Sequence, residues 1–328
     1  MADYIYEAFG YRIASDILMP ELTPAVMIDD EPDVCITRMA YEELLPMVPT
    51  IGNRGHTYVS KDRFGFLVPD LAIYVVERGK SISYAPLDHA SEDQIRIFLL
   101  GTCMGALLIQ RKVLPLHGSA VVIDGHAYAI IGDSGAGKST LAASFAEAGY
   151  KLLTDDVIAI HWDDSAGQPM VVPAYPQQKL WKESIEQIGI QTEGVRPLYH
   201  EADKYAVQIQ EKFTRESYPL AGIFELTWGN GDEIDIKPIQ LLHRLPLLWK
   251  HTYRNFLVPG MQLQQWHFMM SSRVSSRSFV YSIRRPTNTF SAIHLVSWIQ
   301  QIINEGSERC VNNDRDRRSY HEEKSISH

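Results

Sequence analysis

This sequence predicts an α/β fold in two parts, and three observations carry the prediction. Residues 1 to 88 hold short runs rich in aromatic and β-branched residues, namely IYEAFGYRIAS, PDVCITRMA, FGFLVPD, LAIYVVERG and SISYAP, punctuated by Gly, Pro, Asn and Asp. That is the pattern of strands and turns. Further on, AVVIDGHAYAII sets two apolar runs around Asp124–Gly125, a two-residue hairpin signal because both residues tolerate positive φ. The second run leads straight into a glycine-rich loop, GDSGAGKS at 132–139, and then into the helical LAASFAEA, closed by Gly149.

The bulk numbers fit that reading. A chain of 328 residues is long enough for one large core or two ordinary ones. Hydrophobic residues at 45% and charged residues at 22% are an ordinary globular balance. The net charge of −9 argues against a broad nucleic-acid surface, which needs excess Lys and Arg. Cys35, Cys103 and Cys310 lie far apart and form neither a CxxC pair nor a zinc spacing, so reduced thiols are expected. MADYIYEAFGYR lacks the basic-then-apolar run of a signal peptide, and the apolar stretch at 97–110 is too short to cross a bilayer. A cytoplasmic location without membrane contact is the expectation.

Three parts are expected along the chain: a β-rich accessory domain at 1–88, a nucleotide-binding domain at 89–305 and a disordered tail at 306–328, where charge, Ser and Asn collect. SEDQIRIFLLGTCMGALLIQRK, residues 91–112, reads as a buried helix with Ser91 as its cap and Glu92 and Asp93 at the positive end of its dipole. PLAGIFELTW and EIDIKPI frame WGNGD as a second hairpin candidate. LLHRLPLLWKHTYRNFL and TFSAIHLVSWIQQIINE read as helices.

The loop carries the chemistry. Gly132, Asp133, Ser134, Gly135, Ala136, Gly137, Lys138 and Ser139 satisfy G-x-x-x-x-G-K-[ST] in full, with Thr140 next. Glycines let main-chain N–H groups turn inward around phosphate oxygens, and the helix that follows points its positive end there. Lys138 can bridge the β- and γ-phosphates, and the Ser139 hydroxyl can bind Mg²⁺. Asp155 and Asp156 follow one helix and one turn later, where the chain returns toward the phosphates. One carboxylate there can hold Mg²⁺; a second can accept the proton of an attacking hydroxyl. A solvated Asp-Asp turn at a strand start is the competing reading. His117, in PLHGSAVV, opens the strand antiparallel to the one feeding the loop. It is either a structural histidine or an imidazole that orients a carboxylate.

These residues resemble the HPr kinase/phosphorylase family, which shows a His-Gly at a strand start, a GDSGxGKS loop and an Asp-Asp pair after the next helix. Here they are His117-Gly118, 132–139 and Asp155-Asp156, and the resemblance covers about residues 115–160. It implies a P-loop kinase core of the HPr kinase/phosphoenolpyruvate carboxykinase type beside the small β-rich N-terminal domain. It also implies ATP and Mg²⁺ as cofactors. Lys138 would contact the β- and γ-phosphates, Ser139 and Asp156 would serve Mg²⁺, and Asp155 would be the base toward a serine hydroxyl, with His117 as its neighbour. Relatives assemble, so a homo-oligomer is an expectation as well. Thr140 stands where an acidic residue commonly follows the loop, and VVPAYPQQKLWKES replaces the family's Arg-Gly-Leu-Gly-Ile segment. FGYRIASDI, PAYPQQKLW and LLWKHTYRNFL look instead like the divergent HPr kinase-like proteins, some of which phosphorylate lasso-peptide precursors on a C-terminal serine.

The expected activity is therefore an ATP- and Mg²⁺-dependent serine kinase acting on a peptide or small protein. Two alternatives stand beside it: a kinase of a carrier protein or small metabolite, and a nucleotide-gated module that binds a peptide without transferring phosphate. Gln177, Gln178, Lys179, Lys204, Arg254 and Arg273 are candidates for the transferred phosphoryl group or the peptide, and Arg284-Arg285 for an acidic peptide stretch. Trp181, Trp249 and Tyr253 are candidates for stacking on adenine, against the competing reading of buried core.

Overall fold

The computed structural model describes residues 3–26, 30–49, 56–191, 196–199, 202–229, 233–286 and 290–305. The expected tail at 306–328 lies outside the described residues. Of the expected WGNGD turn, Asn230, Gly231 and Asp232 lie outside them too.

The N-terminal runs form strands, as read. They are β1 (Tyr4–Ala8), β2 (Tyr11–Ser15), β3 (Thr23–Pro24), β4 (Val34–Arg38), β5 (Thr57–Val59), β6 (Arg63–Val68), β7 (Ala72–Glu77) and β8 (Ser81–Pro86), with the short helix α1 (Tyr41–Leu44) between β4 and β5. Among the described residues they form one sheet in the order β3-β1-β2-β4-β8-β7-β6-β5. Its buried face includes Ile13, Ile36, Phe64, Tyr74 and Ile82.

Residues 92–110 are helical but not uniformly so. α2 (Glu92–Phe98) and α3 (Met104–Gln110) are joined by a π-helical turn at Leu99–Cys103. Ser91 occupies the cap position, yet its hydroxyl makes no capping bond. The π turn has a tertiary cause. A Cβ on Gly105 would come within 2.5 Å of the Tyr253 ring, and Arg254 Nη2 donates to Thr102 Oγ1 at 2.9 Å. The helix widens where a later segment presses on it, and such turns collect at functional sites. α2 and α3 share one core with the N-terminal sheet and with Val157, Ala159 and Tyr175 further along the chain.

The second sheet positions the site. Its strands are β9 (Leu114–Ile123), β10 (His126–Gly132), β11 (Lys151–Asp163) and β12 (Gln168–Val172), followed after an intervening sheet by β16 (Tyr218–Gly229), β17 (Asp235–Pro238) and β18 (Phe279–Pro286). The order is β10-β9-β11-β12-β16-β18-β17, and β10 also pairs in parallel with β16. Asp124 and Gly125 both have positive φ, +48° and +74°, as the β9–β10 hairpin requires. The three-stranded sheet, β13 (Gln177–Trp181), β14 (Arg196–Tyr199) and β15 (Ala202–Gln208), has β15 in the middle.

One strand pairing corrects the sequence reading. β16 and β17 flank the WGNGD segment but are not partners. β18 lies between them, parallel to β16 and antiparallel to β17. A local turn signal cannot reveal a strand inserted from fifty residues downstream.

Helix α4 (Lys138–Glu147) leaves the glycine loop, and α5 (Lys182–Ile188) follows β13. α6 (Leu241–His251) stops at Thr252, short of the expected end; α7 (Leu257–Gly260) and α8 (Gln264–Arg277) follow. A last helix, α9, spans 292–305. No described helix is long and apolar enough to cross a membrane.

Buried His267 on α8 gives a pH prediction. Thr252 Oγ1 donates to Leu248 O, so its lone pair accepts from His267 Nε2 at 2.7 Å. Burial lowers its pKa from 6.5 to about 4. The unfolded chain therefore takes up the proton first as pH falls. Stability present above pH 6.5 is lost between 6.5 and about 4, on the order of 3 kcal/mol. Urea unfolding at stepped pH should show that slope, and His267→Gln should flatten it; an unchanged slope in the variant would assign it elsewhere.

Candidate functional site

Sheet register brings the chemistry together. β10 ends at Gly132, the loop turns, and α4 begins at Lys138 with Gly137 at its cap in the left-handed region, φ +98°. β9 lies beside β10 and beside β11, antiparallel to both. In the β9–β11 register Ser119 faces Asp155, Gly118 faces Asp156 and His117 faces Val157. Only glycine fits at 118, since a Cβ there would stand 2.2 Å from Ile130 O. The loop, its helix and both aspartates thus line one cavity of about 420 Å³, along with His117, Ser119, Lys179, Lys204, Trp228 and Arg285.

The loop is held from three sides. Lys138 Nζ donates to Gly132 O at 2.9 Å and to Asp133 O at 3.0 Å. Its ammonium is buried and its pKa lowered by that burial, against the opposing pull of Asp155 and Asp156. Arg285 Nε donates to Ala136 O at 2.8 Å, and its guanidinium stacks 4.0 Å from the Trp228 ring. Lys250 Nζ on α6 pairs with Asp133 at 3.0 Å. Thr140 Oγ1 and Ser184 Oγ are 2.8 Å apart, which ties the start of α4 to α5.

The two aspartates have different surroundings. Asp155 is 3% exposed. Ser119 Oγ donates to its Oδ1 at 2.6 Å and the main-chain N–H of Lys179 donates to its Oδ2 at 2.8 Å. The nearby Ser139 hydroxyl acts on it in the same sense. Burial raises its pKa, and these three donors oppose the rise. Asp156 pairs with Lys179 Nζ at 2.6 Å and lies 3.4 Å from His117 Nδ1. Burial would raise its pKa, but the charge of Lys179 and the His117 contact prevail and hold it far below the ordinary carboxylate range. Lys179 in turn is raised: Asp156 outweighs the burial of its ammonium. Asp156 also has φ +116°, a backbone state that costs a residue with a Cβ about 1–3 kcal/mol. The π turn abuts it, with a Cβ on Gly101 falling 4.0 Å from Asp156 Oδ2.

The site therefore differs from the expectation in one pairing. His117 neighbours Asp156, through the side chain and through Asp156 O at 3.1 Å, and not Asp155. The partner of Asp155 is Ser119, whose alternation with His117 along one strand was the available signal. Lys179, Trp181 and Lys204 line the cavity; Arg254 and Arg273 do not. Arg254 bonds Thr102, and Arg273 lies over the Trp162 ring. Arg285 braces the loop, whereas Arg284 is not among the lining residues. Trp249 packs edge-on against His267, and the Tyr253 ring lies tilted beside His117. Trp228 and Lys250 were not singled out from the sequence.

The oxygen donors suit a hard cation. The Ser139 hydroxyl and two carboxylates gather at the cavity. That fits Mg²⁺, which typically takes one or two carboxylates and completes its shell with phosphates and waters.

Comparison with known proteins finds relatives over part of the chain. No protein-family model matches the chain. It is 30% identical over 105 residues to an HPr kinase/phosphorylase of Lactobacillus gasseri, 29% of this chain and 33% of the relative, and equally to that of Lactobacillus johnsonii. An HPr kinase/phosphorylase of Streptococcus sanguinis is 23% identical over 188 residues, 53% of this chain and 57% of the relative. The chain thus spans 33% of the length of the first two curated relatives it matches. Among solved structures, the Hpr(Ser) kinase/phosphatase from Coxiella burnetii is 12% identical, covers 59% of this chain and 98% of its own, and has a TM-score of 0.32.

Proposed function

We propose, for a chain that is HPr kinase-like over its core, an ATP- and Mg²⁺-dependent kinase that phosphorylates a serine hydroxyl of a peptide or small protein. One observation carries the reading. Two carboxylates with opposite environments face one cavity with a complete phosphate loop, and phosphoryl transfer calls for two such jobs.

The N–H groups of 132–137 and the ammonium of Lys138 hold the phosphates, with Thr140 at the cavity wall. Lys138 leaves the Gly132 and Asp133 carbonyls to do so. Bound Mg²⁺ would neutralise charge on the phosphate oxygens. The surroundings favour exchanging the roles that the resemblance gave the aspartates. Asp155 sits beside Ser139 with both oxygens already accepting hydrogen bonds, which suits the metal side. Asp156, beside His117, suits the base that receives the serine proton. Its low basicity is tolerable because the transition state is loose and the proton leaves late. Lys179, once drawn to the transferred phosphoryl group, releases Asp156 and makes it a better base.

The finer reading is an acceptor like the lasso-peptide precursors, with a C-terminal serine. It rests on the resemblance of FGYRIASDI, PAYPQQKLW and LLWKHTYRNFL to that subgroup. The test is direct. The protein is incubated with ATP, Mg²⁺ and serine peptides, including precursors ending in serine, and the peptides are weighed. Gain of one phosphoryl group is expected. Tight ATP binding with no gain on any hydroxyl would leave the non-catalytic peptide-binding module in its place.

A further inference from the structure

A second cavity, of about 340 Å³, lies on the far side of Lys179 and shares that residue with the first. Its floor is one face of the three-stranded sheet. Gln177 faces Gln208, Lys179 faces Ala206 and Trp181 faces Lys204 across β13 and β15. Cross-strand partners and alternate residues share a face. The same face therefore runs from the Gln177–Gln208 pair in the second cavity, past Lys179, to the Trp181–Lys204 pair in the first. The opposite face, Leu180 and Val207, is packed into the core with Ile185 of α5.

The walls are Ile97 near the end of α2, Leu100 in the π turn, the Tyr175 ring and Pro20 from the N-terminal part. They offer no unpaired cation. Arg96, 6% exposed, is held by Glu21 at 2.9 and 3.1 Å and by Asp93. Lys179 is engaged by Asp156. Two carboxylates against one guanidinium leave the wall mildly negative, and Gln177 and Gln208 offer amide groups suited to a peptide main chain.

Resting on the kinase reading, we propose that this cavity is the acceptor-side pocket and takes an uncharged, apolar side chain of the peptide that carries the serine. An extended chain rises about 3.3 Å per residue. The pocket then serves a residue near the phosphorylated serine in the peptide and not the serine itself. An acidic side chain at that position is disfavoured by Glu21 and Asp93. The N-terminal part thereby contributes to acceptor choice through Pro20 and Glu21.

The test has two arms. In the first, N-acetyl-leucinamide and N-acetyl-glutamate amide are titrated into the nucleotide-free protein while the Ile97 and Leu100 methyl resonances are followed. The leucine probe should shift them, the glutamate probe should not, and Ala206→Trp or Pro20→Trp should abolish the shift. Pro20 is exposed, so its replacement can be made if Ala206→Trp fails to fold. In the second, degenerate serine peptides carry Leu, Phe or Glu fixed at each flanking position. Leu or Phe should be preferred over Glu at one position, and either tryptophan should raise the peptide KM by about tenfold or more with the Kd for ATP unmoved. A silent leucine titration overturns the pocket. Transfer that ignores both the fixed residue and the tryptophans overturns this inference and leaves the kinase reading standing. If no peptide gains phosphate while the leucine shifts persist, the kinase reading falls and takes the acceptor role with it.

Discussion

Lys138→Ala should lower phosphoryl transfer on the order of 10³-fold while leaving the fold in place. The size follows from removing a cation aimed at charge that spreads over the transferred group. Fold retention follows from the contacts. Among the described residues the ammonium donates only to Gly132 O and Asp133 O, both in the loop itself, and losing such bonds costs about 1 kcal/mol each. Arg285 and Lys250 continue to brace the loop from outside. Single-turnover transfer from labelled ATP, read beside a thermal melt, checks both halves. Transfer at the wild-type rate would remove the loop lysine from the mechanism. Loss of the melt would make it a structural residue.

Asp156→Asn should cost transfer about 10²- to 10⁴-fold, the usual contribution of a positioned base, with ATP affinity nearly intact. Asp155→Asn should act differently, raising the Mg²⁺ concentration needed for half-maximal transfer. The two profiles decide which carboxylate does which job, because the resemblance and the local geometry favour opposite assignments. Asp156→Asn also leaves the Lys179 ammonium buried without its partner, a loss of about 3–5 kcal/mol when a buried pair is broken on one side. Adding Lys179→Met should recover stability but not transfer. If Asp156→Asn moves only the Mg²⁺ requirement and Asp155→Asn abolishes the chemical step, the exchange proposed above is reversed. Stability carries a pH signature as well. The Asp156 pair is fully present above the ordinary carboxylate value of 3.8 and is lost as pH falls below it, since the folded value lies lower.

How legible the site was depended on how local each contact is. The loop, its helix, His117 and the Asp155–Asp156 pair were readable because a glycine spacing and two short strands encode them within fifty residues. The partner of His117 was misread because it depends on the β9–β11 register, and the strand slips its register between Leu152 and Thr154. Lys179 was one of six named candidates. The docking of the β13 edge on Asp155 and the ion pair with Asp156 distinguish it, and nothing near Lys179 in the chain announces those contacts. The helix at 91–112 was visible in its apolar content. Its π turn was not, since Tyr253 and Arg254 impose it from 150 residues away. The supposed hairpin after β16 failed for the same reason: two apolar runs around Asn-Gly look like neighbours until a third strand claims the place between them.

That inserted strand sets an order on synthesis. β18, the last strand of its sheet to leave the ribosome, fills the slot between β16 and β17 and brings Arg285 to the back of the phosphate cradle. Until residue 286 has emerged, a nascent chain has its glycine motif but no guanidinium behind Ala136, and its central β-layer carries an open gap. On the proposed kinase reading, the glycine loop is therefore fully braced only late in translation, nearly a hundred and fifty codons after the motif itself.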